Sequence, residues 1–400
     1  MTTTINNEHK KLNVPNKQEK NQTCLDSAER EGLCPKGNVP NLRFPEFQGE
    51  WEKCKLVDII TFSTTRVNSS ELNKDNYVST ENMLQDYQGI VKAKSVPEDV
   101  NVVSFSCGDV LISNIRPYLK KVWKATFNGG CSSDVFVLKA NDNIESDYLH
   151  YVIANDKFIN FVMSGAKGVK MPRGDKKQME TYSLSLPQIQ EQHKIARLLS
   201  LLDERISTQN KIIDKLQSLI KGLRVSLMQI ENGNIVHLGE IAQIYQPQTI
   251  SSTELTEDGF LVYGANGIIG KYKQYNHKTE QICITCRGNT CGMVNYTKPM
   301  SWITGNAMVI NTDEHQNKVC KRYLYHYLSV YNFNSIISGS GQPQIVRTPL
   351  EKLKVPLPTF LEQKQKATFL DKIQGKIEIS NKTLNLYLQQ KQYLLRQMFI

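Results

Sequence analysis

"LSLPQIQEQHKIARLLSLLDERI" at residues 184–206 and "VPLPTFLEQKQKATFLDKIQGKI" at residues 355–377 follow one pattern, and the second begins 171 positions after the first (355 − 184 = 171). Each stretch contains a Leu-Pro pair, then a Glu-Gln pair within a helix-forming segment. Proline disfavours a helical residue before it but is tolerated in the first turn of a helix. The repeat therefore predicts two structural segments that each end at Leu-Pro and are each followed by a long helix.

Both predicted helices carry a seam of residues spaced alternately by four and three positions, which is typical of a coiled coil. The first seam consists of Ile195, Leu199, Leu202, Ile206, Gln209, Ile213, Leu216, Ile220, Leu223 and Leu227. The second seam, shifted by 171 positions, consists of Lys366, Leu370, Ile373, Ile377, Ser380, Leu384, Tyr387, Lys391, Leu394 and Met398. Each seam spans 33 residues (227 − 195 + 1 and 398 − 366 + 1).

A narrow seam cannot be buried by its own helix, so we predict that the two helices pair with each other. The internal repeat makes the predicted pair antiparallel. Gln209 and Ser380 are equivalent polar positions, and we expect them to set the register of the pair. Lys366 and Lys391 depart from the pattern, because the first helix has apolar residues there. Two unrelated helices, each packed into its own globular core, remain the alternative.

The segments before the two Leu-Pro pairs also repeat, with short β-prone runs followed by one helical pattern. Tyr148-Leu149 corresponds to Tyr323-Leu324, and Pro172 corresponds to Pro343. We predict an α+β protein with two repeated α/β domains and two long helices that pair as an antiparallel coiled coil. The predicted boundaries are a flexible polar tail at 1–40, a first domain at 41–187, a central helix at 188–232, a second domain at 233–358 and a C-terminal helix at 359–400.

The composition favours a polyanionic partner and a cytoplasmic location. The 400 residues include 49 Lys and Arg against 39 Asp and Glu, a diffuse net charge of +10 that suits nucleic acid. No apolar run approaches the length of about 18 residues that a membrane span needs, and no signal peptide begins the sequence. We therefore expect a cytoplasmic protein with no membrane partner.

The nine cysteines are an odd number, which indicates reduced thiols in the absence of a signal peptide. Cys283, Cys286 and Cys291 are close enough in sequence for a zinc site to be considered. No fourth ligand follows at a usual spacing, and Cys283 lies in an apolar, β-prone run. We therefore expect buried thiols and no metal.

The doubled Leu-Pro, Glu-Gln and long-helix pattern, together with "VPNLRFPEFQGEWEKCKLVDI" at residues 39–59, resembles the specificity subunits of type I restriction-modification systems. The resemblance covers nearly all of the chain after the tail. It implies two target-recognition domains that each read one half of an asymmetric, bipartite site in double-stranded DNA. It also implies that the helices act as spacers and dock two modification (methyltransferase) subunits, and that restriction (motor-nuclease) subunits join the complex.

The length of the seam bounds the gap between two half-sites. A helix rises about 1.5 Å per residue, so the seam is roughly 48 Å long. At about 3.4 Å per base pair this length matches some 14 base pairs of duplex. Two domains held that far apart would recognise two short sequences separated by a fixed, unread gap.

Motifs that would indicate catalysis are missing from the sequence. There is no Pro-Pro pair of an adenine methyltransferase turn, no G-x-x-x-x-G-K-[ST] phosphate loop and no H-E-x-x-H. We therefore predict a non-catalytic subunit, although a degenerate nuclease carboxylate cluster stays open. The resemblance implies that this chain binds no cofactor and that S-adenosylmethionine, ATP and Mg are bound by partner subunits.

Residues that would contact DNA are sought among Arg, Asn, Gln and Lys in loops beside strands. Arg pairs with guanine and Asn or Gln with adenine in the major groove, while Lys and backbone amides hold phosphates. The candidates in the first domain are Arg66, Asn68, Asn114, Arg116, Lys120, Lys121, Lys167, Lys170 and Arg173. The candidates in the second domain are Asn266, Lys271, Arg287, Asn289, Gln342, Gln344 and Arg347. For any one of them, a solvated surface residue or a structural turn is the alternative.

Apolar residues outside the seams predict a docking surface for the modification subunits. They are Leu198, Leu201, Ile212, Leu219, Phe369, Ile379, Leu386 and Leu395. The alternative is that they contact the chain's own domains. Two other functions stay open: a specificity subunit of a methylation-only or type IIB-like assembly, and a two-headed coiled-coil adaptor that binds protein.

Overall fold

The computed structural model describes residues 37–168, 170–229, 234–265, 267–339 and 341–400. The polar tail predicted at 1–40 lies outside the described residues, except for its last four positions. The chain divides into two compact units, of which the first comprises Met1–Arg205 with Tyr387–Ile400 and the second comprises Ile206–Leu386. Each unit contains strands, short helices and a part of both long helices.

Within the residues that the structure describes, the first unit combines ten strands with four short helices, and the first long helix begins in it. The strands are β1 (Glu52–Lys55), β2 (Ile60–Phe62), β3 (Arg66–Asn68), β4 (Tyr77–Val78), β5 (Asn101–Phe105), β6 (Val110–Ser113), β7 (Val122–Lys124), β8 (Gly129–Cys131), β9 (Val135–Ala140) and β10 (Ser183–Leu186). The helices are α1 (Leu56–Ile59), α2 (Ser146–Ile153), α3 (Asp156–Ser164), α4 (Lys176–Glu180) and the long α5 (Ile189–Met228).

Two four-stranded sheets form the body of the first unit, with strand orders β2-β9-β6-β7 and β3-β5-β8-β4. A third element pairs β1 with β10, antiparallel. Leu111, Val135 and Val137 of the first sheet share a buried cluster with Phe105 and Cys131 of the second. The core therefore lies between the two sheets, while α2 lies against β6, β7 and β9.

The second unit repeats much of this plan. Its strands are β11 (Asn234–His237), β12 (Gln243–Tyr245), β13 (Phe260–Gly264), β14 (Gly267–Tyr272), β15 (Ile282–Thr285), β16 (Val294–Tyr296), β17 (Trp302–Ile303), β18 (Ala307–Asn311), β19 (Ile337–Ser338), β20 (Gln344–Ile345) and β21 (Lys354–Leu357). Its helices are α6 (Lys321–Leu328), α7 (Arg347–Glu351) and the long α8 (Phe360–Gln397), which ends in the first unit.

The sheet topology confirms the internal repeat. The order β12-β18-β15-β16 matches β2-β9-β6-β7, and the antiparallel pair β11–β21 matches β1–β10. The short pair β19–β20 corresponds to the isolated bridge between Lys167 and Arg173 in the first unit. The remaining sheet differs, because the second unit has the order β14-β13-β17 where the first has β3-β5-β8-β4. The two units thus share one frame and differ in one sheet.

Gln192, in the first of the two repeated stretches, ties the start of α5 to the start of α2. Its side chain is buried, with the residue 1 % exposed. Its Oε1 accepts the backbone N–H of Glu145 at 2.8 Å, and its Nε2 donates to the carbonyls of Asn143 and Pro187 at 3.1 and 2.9 Å. Glu145 is the N-cap residue of α2, so this glutamine fixes where the short helix begins.

Gln363 makes the same three hydrogen bonds in the second unit. Its Oε1 accepts the backbone N–H of Cys320, the N-cap residue of α6, at 2.9 Å. Its Nε2 donates to the carbonyls of Lys318 and Pro358 at 3.2 and 3.0 Å. The repeated Leu-Pro and Glu-Gln pairs therefore form the same junction in both units. In each unit this junction connects a strand, a short helix and a long helix, and we call it the joint.

The two long helices pair within each unit. In the first unit, Lys391 Nζ donates to Asp203 at 2.6 Å. In the second unit, Gln209 Nε2 donates to the carbonyl of Ser380 at 3.1 Å and Lys366 Nζ to the carbonyl of Leu227 at 2.8 Å. Partners thus follow opposite orders along the two helices, which confirms the predicted antiparallel pair.

The predicted seam lies in the contact between the helices. Ile195, Leu199, Leu202, Ile213 and Ile220 are all buried. In the second unit, the seam residue Ile220 shares a buried cluster with Leu370 and Ile377. Among the described residues, no helix is sufficiently long and apolar to cross a lipid bilayer.

Candidate nucleic-acid interface

Two loops of the first unit are joined by backbone hydrogen bonds at the end of β6. The N–H of Gly174 donates to the carbonyl of Asn114 at 3.0 Å, and the N–H of Arg116 donates to the carbonyl of Pro172 at 2.7 Å. We call this junction, residues 114–116 with 172–174, the first clasp. It brings the loop at residues 114–118 and the loop at residues 170–174, which both carry predicted DNA contacts, side by side.

The second unit contains the same junction at the end of β15. The N–H of Ile345 donates to the carbonyl of Cys286 at 3.0 Å, and the N–H of Gly288 donates to the carbonyl of Pro343 at 3.0 Å. We call residues 286–288 with 343–345 the second clasp. Its positions follow those of the first clasp by 171 or 172 residues (343 − 172 and 288 − 116). Both units therefore present two loops in one equivalent frame.

The backbone of the clasps also repeats. Arg116 and Gly288 are equivalent, and both have positive φ, at 51° and 87°. Gly168 and Gly339, in the second loop of each unit, have φ values of 96° and 90°. Glycine adopts this conformation without steric cost, whereas an arginine does not. The left-handed backbone conformations therefore occur at equivalent positions in both units, and the two clasps differ in their side chains.

The first clasp is rich in cations that are partly neutralised by aspartates. Arg173 pairs with Asp134 at 3.2 Å, and Lys167 pairs with Asp175 at 3.1 Å. The hydrogen bond from Lys167 holds the pKa of the Asp175 carboxyl below its usual value, and the backbone N–H of Gln178 adds to this effect. The predicted contacts Arg116, Lys167, Lys170 and Arg173 are all exposed at this end of the unit.

Two further candidates near the first clasp have partners inside the protein, and a third is half-buried. Lys120 pairs with Asp156 at 2.7 Å. Lys121 Nζ donates to the carbonyl of Thr80 at 2.6 Å, and burial lowers the pKa of this lysine. Asn114 is half-buried, and its side-chain oxygen has no hydrogen-bond partner among the described residues. Arg116 and Arg173 are more exposed than these three residues, although Arg173 pairs with Asp134, and they are the better placed base-reading candidates of the first clasp.

Arg66 and Asn68 lie on β3, in the second sheet of the first unit. Asn68 accepts the backbone N–H of Ser70 at 2.9 Å and donates to Asp99 at 3.0 Å, so it also caps a short turn. The exposed Arg66 donates one N–H to the carbonyl of Asn101 at 3.0 Å. This pair therefore lies on a different sheet from β6, whose end carries the first clasp.

The second clasp carries mostly uncharged hydrogen-bonding groups. Arg287, Asn289, Gln342 and Gln344 are exposed on its two loops. The remaining predicted contacts are Arg347, which pairs with Glu351 at 2.6 Å, Lys271, which pairs with Asp258 at 3.5 Å, and Asn266, which lies outside the described residues. The two clasps thus differ in charge as well as in side-chain type.

Exposed apolar side chains also lie on or near these loops, and they are not among the predicted DNA contacts. Tyr118 and Met171 flank the first clasp, Met293 lies near the second, and the exposed Ile268 lies on β14. Met293 lies next to the second clasp, because its carbonyl accepts the N–H of Thr285, the residue before the clasp, at 2.8 Å. In the sequence, such side chains can be recognised as large apolar residues within loops that are rich in glycine and lysine.

The cysteines near the second clasp are part of the protein core. Cys283 and Cys286 are fully buried. Burial raises the pKa of Cys283 to about 12, which keeps this thiol protonated at neutral pH. In the part of the chain that the structure describes, no group of three or more His, Cys, Asp or Glu is arranged to hold a metal ion.

The predicted docking residues divide by exposure. Those that are exposed on the long helices are Leu201, Ile212, Leu219, Phe369, Ile379 and Leu386. Leu198 and Leu395 are partly buried. Six of the eight predicted side chains are therefore exposed and not covered by other described parts of this chain.

Comparison with known proteins identifies the family. The family described as Type I restriction modification DNA specificity domain matches this chain twice, at residues 48–218 and 231–388. The chain belongs to that family and is a specificity subunit of a type I restriction-modification system. The two matches correspond to the two structural repeats.

Two named relatives illustrate the similarity. The chain is 27 % identical over 301 residues to the type I restriction enzyme MjaVIII specificity subunit of Methanocaldococcus jannaschii, covering 64 % of this chain and 69 % of that protein. It is 31 % identical over 140 residues to the EcoprrI specificity subunit of Escherichia coli, covering 34 % of each chain.

Solved structures share the fold. The S subunit of a type I system from M. genitalium superposes with a TM-score of 0.65 at 17 % identity, covering 90 % of this chain and 99 % of that one. A chain solved in work on complex assembly and conformational transition of the type I system gives a TM-score of 0.53 at 18 % identity, covering 88 % and 97 %.

Proposed function

We propose that each clasp reads one half of a bipartite site in double-stranded DNA. The observation that carries the proposal is the pair of equivalent backbone hydrogen bonds, which give two similar frames with different side chains. The first clasp presents Arg116 and Arg173, and the second presents Arg287 and Gln344. Because Arg suits guanine and Gln suits adenine, such frames would read two different half-sites.

The lysines and apolar residues around the clasps support this assignment. Lys167 and Lys170 would contact phosphates and fix the position of the duplex without reading sequence. Tyr118, Met171 and Met293 are exposed beside polar groups, where an apolar side chain can contact the methyl group of thymine. Binding should therefore weaken strongly as salt concentration rises.

We further propose that the paired helices set the gap between the half-sites. The helices are 40 and 38 residues long, which is about 57–60 Å at 1.5 Å per residue. The polar contact of Gln209 with Ser380 supports a defined register, since sliding the pair would leave that half-buried amide without its acceptor.

The exposed apolar side chains on α5 and α8 support docking of partner subunits, which we propose to be two modification subunits. Replacing Leu201 and Ile212 with Glu should abolish co-purification with the modification subunit, because two desolvated contacts become charged. Asn210→Glu with Ser218→Glu, also exposed on α5, is the matched control and should bind normally. Retained binding of the Leu201 and Ile212 variant would contradict the docking proposal.

We propose that this chain is non-catalytic and binds no cofactor. Chemistry would belong to partner subunits that bind S-adenosylmethionine, and ATP with Mg where a restriction subunit is present. The presence of a motor-nuclease gene beside this one would separate a restricting complex from a methylation-only or type IIB-like complex.

The proposed function is tested by methylome sequencing of a host that carries this gene and its modification gene, compared with a deletion of this gene alone. We expect a bipartite motif with a fixed gap to lose its adenine methylation in the deletion strain. If no motif changes while both subunits are expressed, the DNA-reading proposal is wrong, and a coiled-coil protein adaptor would take its place.

A further inference from the structure

The first unit contains an open cleft of about 500 Å³ that the clasps do not explain. Phe62 and Phe136 of one sheet line it, together with Arg66 and Tyr77 of the other sheet and Lys176 of α4. Pockets for small molecules usually measure about 300–1,000 Å³, so a ligand of the size of a nucleotide fits this range. The cleft is therefore large enough for a specific ligand.

The aromatic wall of the cleft suits a flat, unsaturated ring. Phe62 and Phe136 contact each other edge to face, with ring centroids 5.7 Å apart and an interplanar angle of 77°. Lys176 Nζ lies 4.6 Å from the centroid of the Phe62 ring. Aromatic faces with a nearby cation are the usual surface on which single nucleobases stack.

The charge of the cleft indicates an anionic ligand. Arg66 and Lys176 are both exposed at its edge, and no Asp or Glu is among its described lining residues. Arg66 uses one N–H on the carbonyl of Asn101, and a guanidinium has five N–H donors. Two cations without a lining carboxylate therefore favour a phosphate-bearing ligand over a neutral one.

A serine in the cleft has unused hydrogen-bonding capacity. The Oγ of Ser132 is buried and has no hydrogen-bond partner among the described residues. Buried hydroxyl groups are rarely left unpaired, so a partner from outside the chain would explain this one. Ser133, the next residue, also lines the cleft.

The same turn connects the cleft to the first clasp. Asp134 follows Ser133, and its carbonyl accepts the N–H of Asn114 at 2.8 Å. Its carboxylate pairs with Arg173 at 3.2 Å. A ligand in the cleft and a duplex at the first clasp would thus contact adjacent residues of one turn.

We infer that this cleft binds a single nucleotide, with the base against the half-buried Phe136, since Lys176 covers the ring of the buried Phe62, and the phosphate held by Arg66 and Lys176. The nucleotide comes either from the DNA strand at the first clasp, unstacked from the duplex, or from free mononucleotide in solution. The first source rests on the proposed function, and the second does not. Stacking on the aromatic ring and the contacts to the phosphate would offset the cost of unstacking the base.

Binding of free nucleotide is tested by isothermal titration calorimetry of the full chain with dAMP, dGMP, dCMP, TMP and inorganic phosphate. We expect at least one mononucleotide to bind roughly tenfold more tightly than phosphate, because the base adds stacking. Lys176→Met should weaken nucleotide and phosphate binding by roughly tenfold, while Lys177→Met on the same helix changes neither. Phe136→Leu, which keeps an apolar residue at this position, should weaken nucleotide binding and leave phosphate binding unchanged.

The DNA arm places 2-aminopurine at successive positions of a duplex that carries the methylated motif. Fluorescence that rises at one position with the wild-type chain, but not with Lys176→Met or Phe136→Leu, assigns the cleft to a nucleotide of the DNA. Mononucleotide binding that these variants weaken, without such a rise, assigns it to free nucleotide.

Two results would overturn the inference. The first is that neither mononucleotide binding nor a 2-aminopurine signal is found. The second is that both variants leave those signals unchanged. Fluorescence anisotropy on the same duplex distinguishes failure of the proposed function from failure of this inference. A wild-type chain that does not bind the duplex contradicts the proposed function. The calorimetric titration alone then shows whether the cleft binds a nucleotide.

Discussion

Arg116 and Gly288 occupy equivalent positions in the two clasps, yet only one of them is suited to its backbone. A left-handed residue other than glycine costs about 1–2 kcal/mol. Arg116 has φ of 51° and its side chain is exposed. Strained residues of this kind are often found at functional sites, so the strain at Arg116 is consistent with a side chain retained for binding.

Single substitutions in the clasps should affect one half-site each. Arg173→Ala should weaken binding by about 1–3 kcal/mol, roughly 5- to 150-fold, and relax the base preference in one half only. Gln344→Ala should do the same in the other half. The measurement is competition binding against duplexes altered in either half-site. Lys177→Ala is the control, and equal losses on both half-sites for either variant would contradict the assignment.

His326 is a buried histidine whose protonation state follows from its neighbours. Arg224 Nε donates to His326 Nδ1 at 3.1 Å, and arginine cannot accept, so Nδ1 carries a lone pair. His326 Nε2 therefore carries the proton and donates to Asp371 at 2.8 Å. Arg322 also donates to Asp371, at 2.8 and 2.9 Å. The histidine is neutral in the folded protein.

The second unit should lose stability in mild acid. Burial lowers the pKa of His326 below its usual 6.5, and Arg224 and Arg322 lower it further, against the effect of Asp371. The unfolded chain then binds a proton below pH 6.5 that the folded chain does not, so stability falls as pH falls through this range. The stability is fully present above pH 6.5.

Urea unfolding between pH 8 and 5 measures this effect. His326→Gln keeps a donor and an acceptor but cannot titrate, so we expect a smaller loss of stability between pH 7 and 5 than in the wild type. His237→Gln, an exposed histidine in the same unit, should leave the slope unchanged. A wild-type slope in the His326 variant would show that another group causes the loss.

At the scale of elements, the joint at each repeated stretch depends on one glutamine. Gln192→Leu would leave the amide of Glu145 and two carbonyls without partners, each costing about 1–3 kcal/mol when buried. We expect a loss of at least about 2 kcal/mol and faster hydrogen exchange in α2. Gln190→Leu, exposed on the same helix, is the control. Unchanged exchange in α2 would contradict this role.

The lysines in the second seam show what periodicity alone did not determine. Lys366 reaches the carbonyl of Leu227 at 2.8 Å, near the end of α5, where a cation also interacts favourably with the helix dipole. Lys391 pairs with Asp203 at 2.6 Å. The seam tolerates both because each ammonium group finds an oxygen on the partner helix, which sequence spacing cannot show.

At the scale of the whole molecule, the chain is one plan used twice with one sheet changed. The frame of β2-β9-β6-β7 recurs as β12-β18-β15-β16, with the Leu-Pro joint and the clasp in the same places. The sheet β3-β5-β8-β4, with its cleft, has β14-β13-β17 in its place in the second unit. A shared frame with one variable sheet suits a protein that reads two unlike half-sites.

Lengthening both long helices by one heptad should lengthen the gap in the recognised motif. Seven residues add about 10 Å, or about three base pairs. Insertions after Gln209 in α5 and after Ser380 in α8 keep the seam and the antiparallel pairing, so both half-sites should stay unchanged. Methylome sequencing measures the new gap. A heptad added to α5 alone is the control and should abolish methylation, and an unchanged gap in the double insertion would contradict the spacer proposal.

The sequence by itself determined the repeat, the α+β class, the antiparallel helix pair and the family, because these depend on periodicity and on a doubled local pattern. It also located the clasp loops, through glycines and polar side chains at equivalent positions. Only the tertiary structure decided that the loops carrying Arg116 and Arg173 are hydrogen-bonded to each other while Asn68 caps a turn, and that Phe62, Arg66 and Lys176 share a cleft. The physical reason is that such contacts join residues up to about a hundred positions apart, through strand pairing that a local pattern does not encode.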